Sequence, residues 1–433
     1  MLSKPLNELT AAEIVRAIQS RQVTCEAVTR ACLEHIAARE PDVQAWHYLD
    51  PDLALRRARS LDKSGASGPL VGVPVGMKDI IDTADMPTEY GTPIHKGRRP
   101  MLDAACVALT RRAGGVIMGK TVTTEFANFF PGKTRHPMDA TRTPGGSSSG
   151  SAAAVGDFMV PLALGTQTTA STIRPASFCG CVGYRPTWGD IRCSGVMEAA
   201  GSVDTLGIIA RSIEDVALYR DVLLGVAHAP LEPWGGAAPR VGFCRTQFWT
   251  QCEPHTQAAL EECARVLARA GALVQDVSLP AAFERMQDAH RWITSFEFVR
   301  NRAWEIDHHW NEISEKLRDG RIRDGQSCSF ERYTEARAYA EECRHAMDDL
   351  MSDYDVLLTP AAAGEAPVGL QSTGNASFCI LWTTLHVPAV TLPLFTGPRG
   401  LPVGAQLIAR RDRDRALLGA AQWICDAYAR AST

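Results

Sequence analysis

Residues 144–187 constrain this chain more than any other stretch. They begin Pro-Gly-Gly-Ser-Ser-Ser-Gly-Ser-Ala-Ala-Ala-Val, pass through an apolar run, and continue Gly-Thr-Gln-Thr-Thr-Ala-Ser-Thr-Ile-Arg-Pro-Ala-Ser. Small residues let a backbone approach another group closely and take unusual dihedrals. Neither serine-bearing loop offers a large side chain to pack, so scaffolding alone explains them poorly. The apolar run predicts a buried strand over Phe158–Leu164 between the two loops. Loops at the two ends of a strand bring their hydroxyls together only if the chain folds back between them.

The stretch resembles the amidase signature family. That family carries Gly-Gly-Ser-Ser-Gly-Gly-Ser, then Gly-Thr-Asp-Thr-Gly-Gly-Ser followed by a hydrophobic residue, Arg and Pro. Gly145–Ser151 match the first part and Gly165–Ser171 the second, with Ser147 and Ser171 24 positions apart, as in the family. A third family motif, Gly-hydrophobic-Pro-x-x-hydrophobic-Lys-Asp, is matched by Gly72–Asp79. The likeness runs from Leu9 to about Val222 and resumes from Leu381 to Leu418. It implies a single α/β domain over residues 1–433, a mixed β-sheet wrapped by helices, in which the helical stretch 284–351 varies and helps shape the substrate pocket.

The resemblance also implies roles. Ser171 is the nucleophile, Ser147 the bridging serine and Lys78 the base, with a cis peptide between Gly146 and Ser147. The N–H groups of Thr168, Thr169, Ala170 and Ser171 form the oxyanion hole. The activity implied is hydrolysis of a C–N amide-type bond (carboxamide, anilide or carbamate) through an acyl-enzyme, with aryl-acylamidase and urethanase chemistries among those open to it. No organic cofactor and no metal is implied. Chemistry agrees with the assignment of Lys78: a serine hydroxyl needs a base within reach, and no histidine lies in the matched motifs. Lysine serves as base only when neutral, and Val75, Met77, Ile80 and Ile81 suggest the desolvation that favours the neutral form. Asp79 would oppose that shift if its carboxylate pointed inward, so it is expected to turn away or bond to backbone.

Departures from the pattern are local. Thr169-Ala170 stand where the family favours Gly-Gly, and Gln167 replaces Asp. A positive φ at either added Cβ would cost about 1–2 kcal/mol. This substitution keeps a second reading alive, that of a non-catalytic or partner-dependent protein of the amidotransferase type. A third reading takes Gly146-Ser147-Ser148-Ser149-Gly150 as the Gly-x-Ser-x-Gly elbow of an α/β-hydrolase, with Ser148 as nucleophile and His386 as its histidine. An elbow needs a buried strand just before it, and 139–144 are polar and end in proline. Lys120 is a second candidate base, and Asp204 reads as a buried hydrogen-bonding group. Phe129 and Phe130 are candidate pocket-lining residues.

Composition narrows the remaining classes. A net charge of −4 without a long basic run gives no reason to expect nucleic acid or an anionic membrane as partner. No apolar run reaches the ~18 residues of a membrane span, and no signal-peptide core opens the chain. The expected protein is cytoplasmic, acts on a small-molecule amide or carbamate, and can form a homodimer. Thirteen scattered cysteines without a Cys-x-x-Cys pair read as buried thiols. Adjacent His308 and His309 would point ~100° apart on a helix, which disfavours a shared metal.

Overall fold

The computed structural model describes residues 4–232, 234, 235 and 238–432. Eleven strands form one sheet. They are β1 (Trp46–Leu49), β2 (Pro74–Lys78), β3 (Val116–Thr121), β4 (Leu162–Gln167), β5 (Val182–Arg185), β6 (Thr205–Ala210), β7 (Arg240–Cys244), β8 (Leu273–Val277), β9 (Val356–Pro360), β10 (Ala389–Thr396) and β11 (Pro402–Ile408). Their order is β1-β3-β2-β4-β6-β5-β10-β11-β9-β7-β8. β2 runs parallel to both β3 and β4, and β7 to both β8 and β9; the other neighbours are antiparallel. The sheet is therefore mixed, and helices flank it in a single α/β domain.

β2, β3, β4, β5 and β6 are buried along their whole length. Burial on both faces removes the apolar–polar alternation of a half-exposed strand, which is why these segments read as short apolar runs. The outermost strand β8 is mostly exposed, as an edge allows.

The strand expected over Phe158–Leu164 begins later, at Leu162, and runs on to Gln167. Phe158 has φ of 58° and lies in the turn that precedes it. The segment 69–72 is a turn, β2 spans Pro74–Lys78, and Lys78 is its last residue. Pro41 does not end its helix, which continues to Val43. Asp103 caps no helix: the helix is Ala105–Arg112, and the Asp103 carboxylate accepts from Ala84 N–H and Arg111 instead. Thr10 and Glu13 form a capping box at the start of the first α-helix, Ala11–Gln19. The linker expected over Pro233–Pro239 lies partly outside the described residues. No helix among the described residues is long and apolar enough to cross a membrane.

The region 284–351 is almost wholly helical, dominated by Met286–Asn301 and Phe330–Leu350. Their apolar stripes, including Met286, Ile293, Ala340 and Met347, form one cluster with Trp382, Leu385, Ala170 and Ile173. A wall of helices thus packs directly onto the second serine-bearing loop.

The fold also requires close approach of backbone at the first loop. The helix Ser149–Gly156 follows that loop and meets the end of β3: Gly150 N–H donates to Val122 C=O at 3.0 Å. A Cβ on Gly150 would lie 2.1 Å from the Ala45 carbonyl oxygen and 2.4 Å from the Val122 nitrogen. Both obstacles are backbone, so neither can rotate away. Gly150→Ala should lose about 3 kcal/mol by overpacking, read as a lower denaturation midpoint in urea.

Candidate active site

The chain does fold back between the two loops. The helix Ser149–Gly156 and a turn carry it away and return it along β4, so both loops end beside the carboxyl end of that strand. Ser148 fixes this meeting. Its Oγ lies 3.2 Å from Thr166 N–H, from which it accepts, and 3.3 Å from Thr166 C=O, to which it donates. Ser148 N–H donates to Ser171 C=O at 3.3 Å. Arg174 adds a further strap by donating to Gly146 C=O at 2.7 Å. The peptide Gly146–Ser147 is cis.

Lys78 reaches this meeting point from the end of β2, which pairs with β4 in parallel register. Its Nζ lies 2.7 Å from Ser147 Oγ and 2.7 Å from Thr166 Oγ1. The side chain is fully buried. Burial lowers its pKa to about 7, against a weaker opposing pull from the charge of Asp204. Asp79 turns away, as expected. Its carboxylate accepts from Glu89 N–H at 3.1 Å and faces Lys120 and His47 at 3.6 and 3.7 Å.

Lys120 is equally buried but engaged elsewhere. Its Nζ donates to Ile81 C=O and to Thr88 Oγ1, each at 2.6 Å, and none of its hydrogen bonds reaches a serine of either loop. Burial lowers its pKa to about 8, partly countered by Asp79. It ties both ends of the 81–88 segment to β3.

The second loop is held from several sides. Gln167 Oε1 accepts from Thr172 N–H and Ile173 N–H, both at 3.0 Å, and its Nε2 donates to Thr383 Oγ1 at 3.0 Å. Gln167 thereby serves the first amides of the helix Ile173–Phe178, a task open to any side-chain acceptor of suitable reach. Thr383 Oγ1 donates to Thr169 C=O at 2.8 Å. His290 Nε2 lies 3.0 Å from Thr168 C=O. Burial holds His290 near pKa 4, so it is neutral and its Nε2–H can donate to that carbonyl. With these carbonyls engaged, the N–H groups of Thr169, Ala170 and Ser171 donate to no described residue. Neither Thr169 nor Ala170 has positive φ, so their Cβ atoms carry no left-handed penalty. The Ala170 methyl is buried in the cluster formed with the helical wall.

Two cavities border this loop. A small one, about 50 Å³, is lined by Thr166, Thr168, Cys193, Met197 and Asp204, among others. Asp204 accepts from Thr168 Oγ1 at 2.6 Å and from Ala199 and Ala200 N–H, each at 2.8 Å, as expected of a buried acceptor; burial raises its pKa to about 6. The larger cavity, about 520 Å³, is lined by Thr169, Phe129, His290, Arg321, Ala376 and Ile380 together with polar residues of the helical wall. Phe129 thus stands where a pocket-lining residue should. Phe130 does not: it is exposed, outside both cavities, and contributes its carbonyl to Glu125 N–H.

Sequence reasoning missed Thr166, His290 and Arg321. Thr166 lies inside the second motif, and only the geometry reveals its bond to Lys78. His290 and Arg321 belong to the helical region, where periodicity reports packing and not which polar side chain turns inward. His386 is no partner for Ser148. Its Nε2 lies 2.7 Å from Ser202 C=O and 3.0 Å from Arg344, and its ring stacks on Trp188. Ser148 itself is fully buried, its hydroxyl spent on Thr166.

The geometry has counterparts. A family model described as Amidase matches residues 27–418. A glutamyl-tRNA(Gln) amidotransferase component from Acidothermus cellulolyticus is 38% identical over 320 residues, which span 68% of this chain and 63%, just under two thirds, of that one. The corresponding glutamyl-tRNA(Gln) amidotransferase component of Chloroflexus aggregans is 32% identical over 479 aligned residues, covering 98% of this chain and 96% of that one. A solved structure described as an amidase superposes with a TM-score of 0.89 at 27% identity, covering 96% of this chain and 99% of that chain.

Proposed function

The chain belongs to the amidase family, and on that premise we propose that it hydrolyses a C–N amide-type bond of a small molecule through an acyl-enzyme on Ser171. One observation carries this reading: a fully buried lysine amine, its pKa lowered to about 7, sits 2.7 Å from a serine hydroxyl in the loop that contacts Ser171. Neutral Lys78 accepts the proton of Ser147, which accepts that of Ser171. The Ser171 Oγ then bonds to the carbonyl carbon. The developing oxyanion is received by the free N–H groups of the 168–171 loop, where losing one donor costs about 3–4 kcal/mol. As the C–N bond breaks, the proton returns through Ser147 to the leaving amine. Water, giving its proton to the same Ser147–Lys78 relay, then bonds to the acyl carbon; the bond to Ser171 Oγ breaks, the relay returns the proton to Ser171, and the acid leaves. The 520 Å³ cavity, with Thr169 on its wall, receives the substrate. The helical region 284–351 supplies one of its walls, and carboxamides, anilides and carbamates are the bonds to test.

A second reading, that of a partner-dependent protein of the amidotransferase type, is favoured by the names of the sequence relatives. The purified chain separates the two. It should hydrolyse at least one member of a panel of aryl amides, aliphatic amides and carbamates without added protein, and a fluorophosphonate should label the peptide holding Ser171. Labelling without turnover, with turnover restored by a second protein, would select the partner-dependent reading. An adduct on Ser148 would exclude both.

A further inference from the structure

Two threonines, two residues apart, face the small cavity, one bonded to the base and the other to a carboxylate. Lys78 Nζ donates to Thr166 Oγ1 at 2.7 Å, and Thr168 Oγ1 donates to Asp204 Oδ1 at 2.6 Å. Thr166, Thr168 and Asp204 all line that cavity. Thr168 stands one residue past β4 and Asp204 one residue before β6, and Gln167 pairs with Thr205 in the antiparallel ladder between the two strands. The side-chain bond therefore extends the ladder beyond its last backbone pair, where the 168–171 loop leaves the sheet. Asp204 Oδ2 accepts from Ala199 N–H and Ala200 N–H at 2.8 Å each, so three donors fix the carboxylate. With its pKa raised only to about 6, Asp204 is ionised at neutral pH. The other charged or titratable groups nearby are few. Glu198 lines the cavity but stands exposed, and Cys193 is a neutral thiol whose pKa burial lifts to about 11. Arg321 acts on Asp204 from the helical wall, and Asp79 faces Lys120 and His47. Among the described residues, Asp204 is the one carboxylate whose charge acts on Lys78.

We propose that Asp204 is a positioning residue for acyl transfer, holding the oxyanion loop through Thr168 and favouring by its charge the lysine ammonium that forms as Ser171 attacks. The inference rests on the reading of Lys78 as base and Ser171 as nucleophile. Thr168 opens the loop whose N–H groups receive the oxyanion, and displacing such donors slightly costs rate steeply. Asp204 fixes this residue by its hydroxyl, while neutral His290 fixes it by its carbonyl. The charge has a separate effect. When Lys78 takes the proton of Ser147, an ammonium is created where burial disfavours it. A carboxylate facing the same cavity offsets part of that penalty, and so keeps the amine a stronger proton acceptor than burial alone would leave it.

The rate at which a fluorophosphonate labels Ser171, followed as a function of pH, tests this without requiring turnover. In the wild type it should rise through about 7 and level off. Asp204→Asn can still donate to the Thr168 hydroxyl and accept from the 199–200 amides, but has no charge. It should move the midpoint down by about one pH unit and lower the alkaline plateau. Asp204→Ser removes the charge with a different side chain and should move the midpoint the same way, which keeps the test decisive if one variant fails to fold. Thr168→Val breaks the bond but keeps the charge, and should lower the plateau about tenfold with the midpoint in place. A midpoint that stays or rises in the folded Asp204 variants would overturn the proposal, as would Thr168→Val labelling as fast as wild type. An equal midpoint shift in Thr168→Val would overturn it too, because loop position and not charge would then govern the base. Any of these results with normal labelling of the wild type at Ser171 leaves the hydrolytic reading standing; no labelling of the wild type at Ser171 at any pH removes both.

Discussion

Ser171→Ala should fold like the wild type and lose at least about 10⁴-fold in kcat, the scale on which serine hydrolases lose activity with their nucleophile. The side chain is small and sits in a loop held by other groups: Gln167, Thr383, His290 and Arg174 all keep their bonds in the variant. Unfolding midpoints should therefore agree while turnover disappears. Residual activity within tenfold of wild type would mean that the nucleophile is elsewhere. Ser147→Ala should follow at a similar scale, since it removes the hydroxyl between Lys78 and the nucleophile.

The second large effect concerns Lys78. Activity should rise with pH through about 7 and level off on the alkaline side, because the base works only when neutral. Lys78→Ala should lose most of kcat with KM little changed, and Lys78→Arg should fail as well, since a guanidinium stays protonated. The same shift leaves a mark on stability. The folded-state pKa lies below the ~10.4 of an unfolded lysine, so between about pH 7 and 10 the unfolded chain binds the extra proton. Stability from this group accordingly increases as pH rises across that window and is at its lowest below it. Thermal denaturation of wild type and Lys78→Met should diverge there, the wild type gaining relative to the variant as pH rises. Lys120 cancels in this comparison, present in both proteins. If Lys78→Ala kept near-wild-type turnover while Lys120→Ala abolished it, the roles assigned here would be reversed.

The legibility of this chain was uneven for physical reasons. Motif order and spacing pointed to Lys78, Ser147 and Ser171, and the structure brings Lys78 to hydrogen-bonding distance of Ser147. Strand boundaries slipped by several residues because β2 and β4 are buried on both faces and carry no alternation to mark their ends. Turns such as 69–72 share their apolar composition with the strands they precede. Gln167, where the family favours Asp, accepts from the first amides of the helix that follows the loop. Thr169-Ala170 proved compatible with the loop because neither φ is positive and the methyl has a packing partner. The cavity residues were the least legible. Arg321 lies 150 positions from Ser171 (321 − 171), amid charged residues that a helical pattern assigns to solvent.

Met286–Asn301 and Phe330–Leu350 meet the second serine-bearing loop through side chains such as Ala170 and Ile173, while Lys78 ends β2 and Ser171 follows β4, both outside the two helices. On the proposed mechanism, bond cleavage and substrate choice would occupy separate parts of one domain. Selection can redraw the helical wall, exchange the residue at 321 or resize the space beside Phe129 without disturbing β2 or β4. A scaffold divided in this way adapts to new amides by changing one wall, and the same division makes that wall the place to graft or randomise when a different substrate is wanted.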